Sequence, residues 1–324
     1  MYVTLEPCAH QGRQPPCVEA ILEAGVARVV IASEDPSEKA SGRGPGMLRD
    51  GGVEVVSAAG EEAAAARRLN QPFRKHARTG LPLVVLKLAM SLDGRTATAP
   101  GDSPWISGEL SRALVHRWRG EADAIAAGIG TVLADDPLLT ARPDGATRQP
   151  VRIVFDSQAR LPLDSRLLAT LDRSPVLVVA SPEADPTRVS ALKAAGAEIL
   201  VATGATSSDR IKSALSELGR REITSLFLEG GPALAAAFVS ADQLDESRTF
   251  VAPLFLGNGP PDMTPLRAGD PGGKAENVNL ARRPSPPGQA PRAEASEPLR
   301  LTALESHAEP VGEDTLITAR FKEW

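Results

Sequence analysis

Short, nearly unbroken apolar runs recur along the chain and alternate with stretches whose apolar residues return every three or four positions. RVVIA (28–32), LPLVVLKLA (81–89), ADAIAAGI (122–129), VRIVFD (151–156), VLVVA (176–180), AEILVA (197–202), SLFL (225–228) and SRTFVAPLFLG (247–257) predict strands. Runs of this kind suit strands buried on both faces. Helical spacing predicts helices over 17–26, 61–75, 107–120, 209–219 and 232–240. The opening YVTL reads as a short strand, and MLRDGGVEVV (47–56) as a helix end, a glycine turn and a strand. Strand–helix alternation predicts an α/β protein with parallel sheet. HARTGLP (76–82) reads as a linker, which divides the chain into 1–78 and 79–324. A first unit of about 75 residues is small for a layered domain. Segment 257–298 is rich in Pro, Gly, Ala and Arg without apolar periodicity, and is expected to be a mobile loop. LRLTALESH (299–307) and DTLITARFKEW (314–324) predict two closing antiparallel strands.

Composition narrows the class. Of 324 residues, 42% are apolar and 24% charged, as in a soluble globular protein. No apolar run approaches the roughly 20 residues of a membrane span, so no membrane partner is expected. Met1 leads directly into strand-like sequence without a signal segment, so a cytoplasmic location is expected. The net charge of −5 comes without a basic stripe, which argues against nucleic acid. Only two cysteines occur, Cys8 and Cys17, and both lie in the opening TLEPCAHQGRQPPC.

A catalytic zinc needs three protein ligands and an open position. In nucleobase deaminases these are one His and two Cys, with a Glu two residues after the His moving protons. Pro7 and Cys8 supply the PC of such a site, and Cys17 follows after eight intervening residues, a longer spacing than P-C-x-x-C. Two buried thiols are the competing reading. The string as a whole resembles the deaminase domain of the bifunctional riboflavin-biosynthesis family, diaminohydroxyphosphoribosylaminopyrimidine deaminase / 5-amino-6-(5-phosphoribosylamino)uracil reductase. SGRGPGMLRDGGVEV (41–55) fits the same domain. The resemblance implies that Cys8 and Cys17 are zinc ligands. The family's His-Ala-Glu segment lies upstream of this strand, and His10, without a Glu at +2, does not replace it. The chain as written is therefore expected to hold an incomplete zinc site and to lack deaminase turnover, and Met1 is expected not to be the true start.

The resemblance extends through LKLAMSLDGRTATAPGDSPWISG, ADAIAAGIGTVLADDPLLTAR and FLEGGPALAAAF, which are similar to the family's reductase domain. It implies a partial cytidine-deaminase-like domain followed by a dihydrofolate-reductase-like domain. It places NADPH at Ala89, Trp105, Thr131, Asp135, Ser157 and the run Gly231, Pro232, Ala233, Leu234, Ala235, Ala236 and Ala237. It places the phosphoribosylated pyrimidine substrate at Ser103, Arg119, Leu139, Arg142 and Glu229. By themselves the residues say less. Glu229, two glycines and a helix start can present amides to a phosphate, or simply turn the chain. The Asp-Asp-Pro string can be a solvated turn, Arg119 a surface charge and Trp105 a core residue. Lys87 shares a strand face with Ala89. Asp135 is the expected proton donor, with Asp136 next. NADPH reduction of the ribosyl group to ribityl is the expected reaction. A full bifunctional enzyme and a nucleotide-binding relic without turnover are the alternatives, and a homo-oligomer is left open.

Overall fold

The computed structural model describes residues 1–12, 14–40, 42–96, 105–142, 148–257 and 301–324. The expected mobile loop lies almost wholly outside the described residues, as do Ser103 and the start of the strand expected at 299–307.

The N-terminal part builds a small sheet of three parallel strands, β1 (Tyr2–Val3), β2 (Arg28–Ile31) and β3 (Glu54–Ser57), in the order β1-β2-β3. Helices α1 (Cys17–Glu23) and α2 (Arg43–Asp50) connect them. Val18, Ile21, Val29, Ile31, Leu48 and Val53 form the core. The single helix expected over 61–75 is two, α3 (Gly60–Leu69) and α4 (Gln71–Thr79). They break at Asn70, whose amide bonds back to the carbonyls of Ala66 and Thr4, 2.9 and 3.0 Å away. The linker expected at 76–82 is correspondingly shorter, because α4 continues to Thr79 and ends on Gly80 with φ +70°.

The remainder forms one nine-stranded sheet. Its strands are β4 (Leu83–Ser91), β5 (Ala124–Gly128), β6 (Val151–Phe155), β7 (Val176–Ala180), β8 (Glu198–Val201), β9 (Ser225–Leu228), β10 (Glu246–Ala252), β11 (Glu305–Val311) and β12 (Asp314–Arg320), in the order β11-β12-β10-β4-β9-β5-β6-β7-β8. All neighbours run parallel except β12, which is antiparallel to β10 and β11. The parallel strands are the apolar runs of the sequence, and Ala124 through Ala127 are fully buried. Helices α5 (Glu109–Glu121), α6 (Ile129–Asp135) and α7 (Pro186–Ala194) pack on one face, while α8 (Ser207–Arg220) and α9 (Pro232–Ser240) pack on the other. Helices α6 and α7 were not expected from the sequence.

The two sheets are tied together by α4. The buried Lys75 Nζ lies 2.5 Å from Asp245 Oδ2, which also accepts from the Val84 amide at 2.7 Å. Trp324 Nε1 donates to the other oxygen of Asp245 at 3.0 Å, and the Trp324 carbonyl accepts from Arg74 Nε. His76 Nε2 sits 2.9 Å from the Gly219 carbonyl. A Cβ on Gly219 would lie 1.7 Å from the Gly80 carbonyl oxygen, so this approach of α8 requires glycine. Among the described residues, no helix is long and apolar enough to cross a membrane.

Candidate active site

Ligands of open parallel sheets bind beyond the carboxyl ends of the strands, where neighbouring connections leave in opposite directions. Strands β9 and β5 are such neighbours. From β5 the chain enters α6 and goes on to β6; from β9 it enters α9 on the other face and goes on to β10. The two helix starts are joined directly, since the Gly231 amide donates to Thr131 Oγ1 at 3.2 Å. Residues 100 apart in sequence thus meet at the carboxyl ends of β5 and β9.

Glu229 leaves β9 at the floor of this crevice. Arg119, from α5, holds it in a two-pronged pair, Nε to Oε1 at 2.5 Å and Nη2 to Oε2 at 2.8 Å. Only 13% and 11% of the two side chains is exposed, so Arg119 is a buried partner rather than a surface charge. Burial alone would raise the pKa of Glu229, but the charges of Arg119 and Lys87 and the Arg119 hydrogen bonds outweigh it and hold the carboxyl below its ordinary value. Lys87, on β4, is the second cation of this cluster. Burial pushes its ammonium pKa down, and Glu229 opposes that shift only in part. His116 lies one turn before Arg119, with its Nδ1 3.4 Å from Arg119 Nη1. Burial, with Arg119 and Arg142 close by, lowers its pKa.

The remaining expected residues divide by position. Asp135 ends α6 and is exposed. Asp136 follows in a left-handed conformation and accepts from the Arg166 amide at 2.9 Å, so it is committed to the backbone. Leu139 is 3% exposed with φ +49°, and Arg142 stands exposed three residues on, with Arg166 and Arg173 as cationic neighbours. Trp105 is 62% exposed, not a core residue, and Arg112 lies over its ring at 5.1 Å. Ser157 is exposed beyond β6, and Ala89 is half-buried in β4. The residues of the run from Gly231 differ in their surroundings. Helix α9 has no side-chain cap, which leaves its first turn facing the crevice, whereas the Ala235 amide is spent on the Gly231 carbonyl at 3.2 Å. Leu234, Ala235 and Ala237 pack on the core.

A second concavity, of 1130 Å³, lies on the small sheet and is lined in part by Val3, Cys8, His10, Cys17, Phe73 and His76. Cys8 and Cys17 bring their sulfurs to 3.5 Å, and the Cys17 amide points at Cys8 Sγ from 3.4 Å. Two thiolates on a tetrahedral ion with bonds of about 2.3 Å would stand at a comparable separation. They supply two donors, and among the described residues no group of three or more His, Cys, Asp and Glu is gathered to hold a metal ion. The residues present do not by themselves make the zinc site.

Comparison with known proteins shows the family. The model of the RibD C-terminal domain matches residues 82–270. The riboflavin biosynthesis protein RibD of Aquifex aeolicus is 39% identical over 259 residues, which cover 80% of this chain and 70% of that protein. Among solved structures, RibD of Acinetobacter baumannii superposes with a TM-score of 0.75 at 32% identity, over 99% of this chain and 80% of the other. A Thermotoga maritima structure described as a diaminohydroxyphosphoribosylaminopyrimidine deaminase/5-amino-6-(5-phosphoribosylamino)uracil reductase gives 0.72 at 28% identity, over 99% of this chain and 79% of that one. The chain belongs to the RibD family of riboflavin-biosynthesis enzymes and carries the family's C-terminal reductase domain.

Proposed function

We propose that residues 79–324, of dihydrofolate-reductase-like fold, reduce 5-amino-6-(5-phosphoribosylamino)uracil to its ribitylamino product with NADPH. The observation that carries this reading is the buried Arg119–Glu229 pair beside Lys87, at the crevice where the Thr131–Gly231 contact joins α6 and α9. Residues 1–78 are read as part of a cytidine-deaminase-like domain, with Cys8 and Cys17 as two of the ligands its zinc would need.

The crevice suits a dinucleotide. At the start of α9 the Gly231, Leu234 and Ala235 amides are already bonded and Pro232 has none, so the Ala233 amide and the helix dipole are what would favour a diphosphate. Trp105 is exposed beside Ala252, Pro253 and Asp314 at the end of β10. NADPH, when bound, supplies the hydride. The protein's own residues position the pyrimidine and handle charge. Opening of the ribosylamine gives an imine at C1′, whose nitrogen needs a proton as C1′ is reduced. Glu229 is a poor donor, because both its oxygens accept from Arg119 and its carboxyl is held ionised. Asp135, the donor expected from the sequence, is exposed at the end of α6. Lys87 is the half-buried acid of the cluster, and its lowered pKa eases release of a proton. We infer that Lys87, whose ammonium interacts electrostatically with Glu229, is the donor. Arg142, free of the Glu229 pair, remains for the ribose phosphate.

Substrate-dependent oxidation of NADPH, followed by its absorbance, tests the reading. Lys87→Met should lower kcat by about 10²-fold or more, and Asp135→Asn by less than about 10-fold. The reverse order would return the role to Asp135. No oxidation by the unaltered chain would reject the reductase reading.

A further inference from the structure

The turn from Asp136 to Arg142 is held in an expensive shape. Asp136 and Leu139, neither of them glycine, take φ of +38° and +49°. Each such residue costs about 1–2 kcal/mol and persists only where its surroundings enforce it. Here the enforcement comes from outside the turn. Arg152 Nη1 donates to the Leu138 carbonyl at 3.3 Å, Arg119 Nη1 to the Thr140 carbonyl at 3.2 Å, and the Arg166 amide to Asp136 Oδ1 at 2.9 Å. The last clasp is Gln149. Its Oε1 accepts from the Ala141 amide at 2.9 Å, and its Nε2 donates to the Ala141 carbonyl at 3.0 Å. One side chain thus satisfies both backbone groups of one residue, as a paired strand would. Ala141 is 4% exposed, so water does not readily replace either bond. The next residue is Arg142.

We infer that Gln149 is a positioning residue for substrate recognition, fixing Ala141 so that Leu139 and Arg142 meet the phosphate-bearing end of the substrate in a set geometry. This rests on the reductase reading above. A primary amide carries a donor and an acceptor side by side, as the clasp requires. An ionised carboxylate only accepts, while a protonated carboxyl again does both.

Three measurements test it on the full chain. Gln149→Ala should raise KM for the phosphoribosylamino substrate about 10-fold, leaving kcat within about 2-fold and KM for NADPH unchanged. In Gln149→Glu the defect should depend on pH. Relative to the unaltered chain, substrate KM should recover as pH falls from about 8 to 5.5, because the protonated form restores both bonds. The third measurement needs no turnover: exchange of the Ala141 amide with deuterated solvent should speed up at least 10-fold in Gln149→Ala. An unchanged substrate KM beside an active unaltered chain would overturn the inference, and so would an unchanged exchange rate at Ala141. If the unaltered chain fails to oxidise NADPH, the reductase reading falls, and the exchange rate still decides whether Gln149 holds the turn.

Discussion

The Arg119–Glu229 pair shows what a buried ion pair does at the scale of single residues. Removing one partner leaves the other charged, desolvated and unmatched, which costs about 3–5 kcal/mol. Glu229→Gln should destabilise the protein by that order in urea unfolding. The effect should also depend on pH. The folded-state pKa of Glu229 lies below its ordinary value of 4.5. Its contribution is therefore fully present above that value and lost as pH falls through the folded pKa. The stability gap between the unaltered chain and Glu229→Gln should be full near pH 7 and shrink only as pH falls below the ordinary value of 4.5 and through the lowered folded-state pKa. A gap constant over this range would mean that Glu229 is not held ionised by Arg119 and Lys87. The sequence marked Glu229 and Arg119 as substrate contacts only through family resemblance. Their mutual pairing joins residues 110 apart, and no local pattern announces it. Gln149 and Arg152 escaped notice for the same reason, since both act on backbone carbonyls across a turn.

At the level of elements, helix α5 carries His116 and Arg119 but brings no cap of its own. Its N-cap is Gly108, without a side chain. The cap comes from the far end of the chain: buried Asp314, at the start of β12, accepts from the Gly108 amide at 2.8 Å and from Ser111 Oγ at 2.5 Å. Asp314→Ala should cost about 1–3 kcal/mol in denaturant unfolding, and Asp314→Asn clearly less, because one acceptor oxygen remains. Equal losses in both would indicate that the charge, not the cap, matters. Elements with strong signals were legible. The buried strands β5, β6, β7 and β9 stand out as apolar runs, and α8, with a full capping box at Thr206 and Asp209, as a helix. Helix α6 was missed because its seven residues, directly after β5, are too few to show a helical period. Helix α7 was missed because it buries only Leu192 and shows no apolar stripe.

For the molecule as a whole, the hub at Asp245 joins the two sheets. Lys75, Val84 and Trp324 all converge on this one carboxylate, and Lys75 Nζ also lies 5.2 Å from the Trp324 ring. Burial lowers the Lys75 pKa despite this partner, so the ammonium depends on Asp245 to stay comfortably charged. Asp245→Ala should lower the melting temperature sharply, with a loss of about 3–5 kcal/mol, and shift Trp324 emission to the red. Adding Lys75→Met should recover part of the loss. No recovery would show that the damage lies in the Val84 and Trp324 contacts instead. The sequence predicts a division near residue 79, but it gives no sign of this hub, whose members lie in three distant segments.

The position of β4 in the sheet also governs how the chain is made. Synthesis proceeds from the N-terminus, and β4 appears early. Both its neighbours come late, β9 at Ser225–Leu228 and β10 at Glu246–Ala252. Until the ribosome has released the chain past Leu228, Leu83 through Leu86 have no strand on either side, and until Ala252 they have one side open. Lys75 likewise waits for Asp245. A nascent polypeptide therefore carries an unpaired, strongly apolar strand through much of its elongation, a state prone to mispairing and sought by chaperones. The strand at the heart of the finished sheet is the most vulnerable part of the unfinished one.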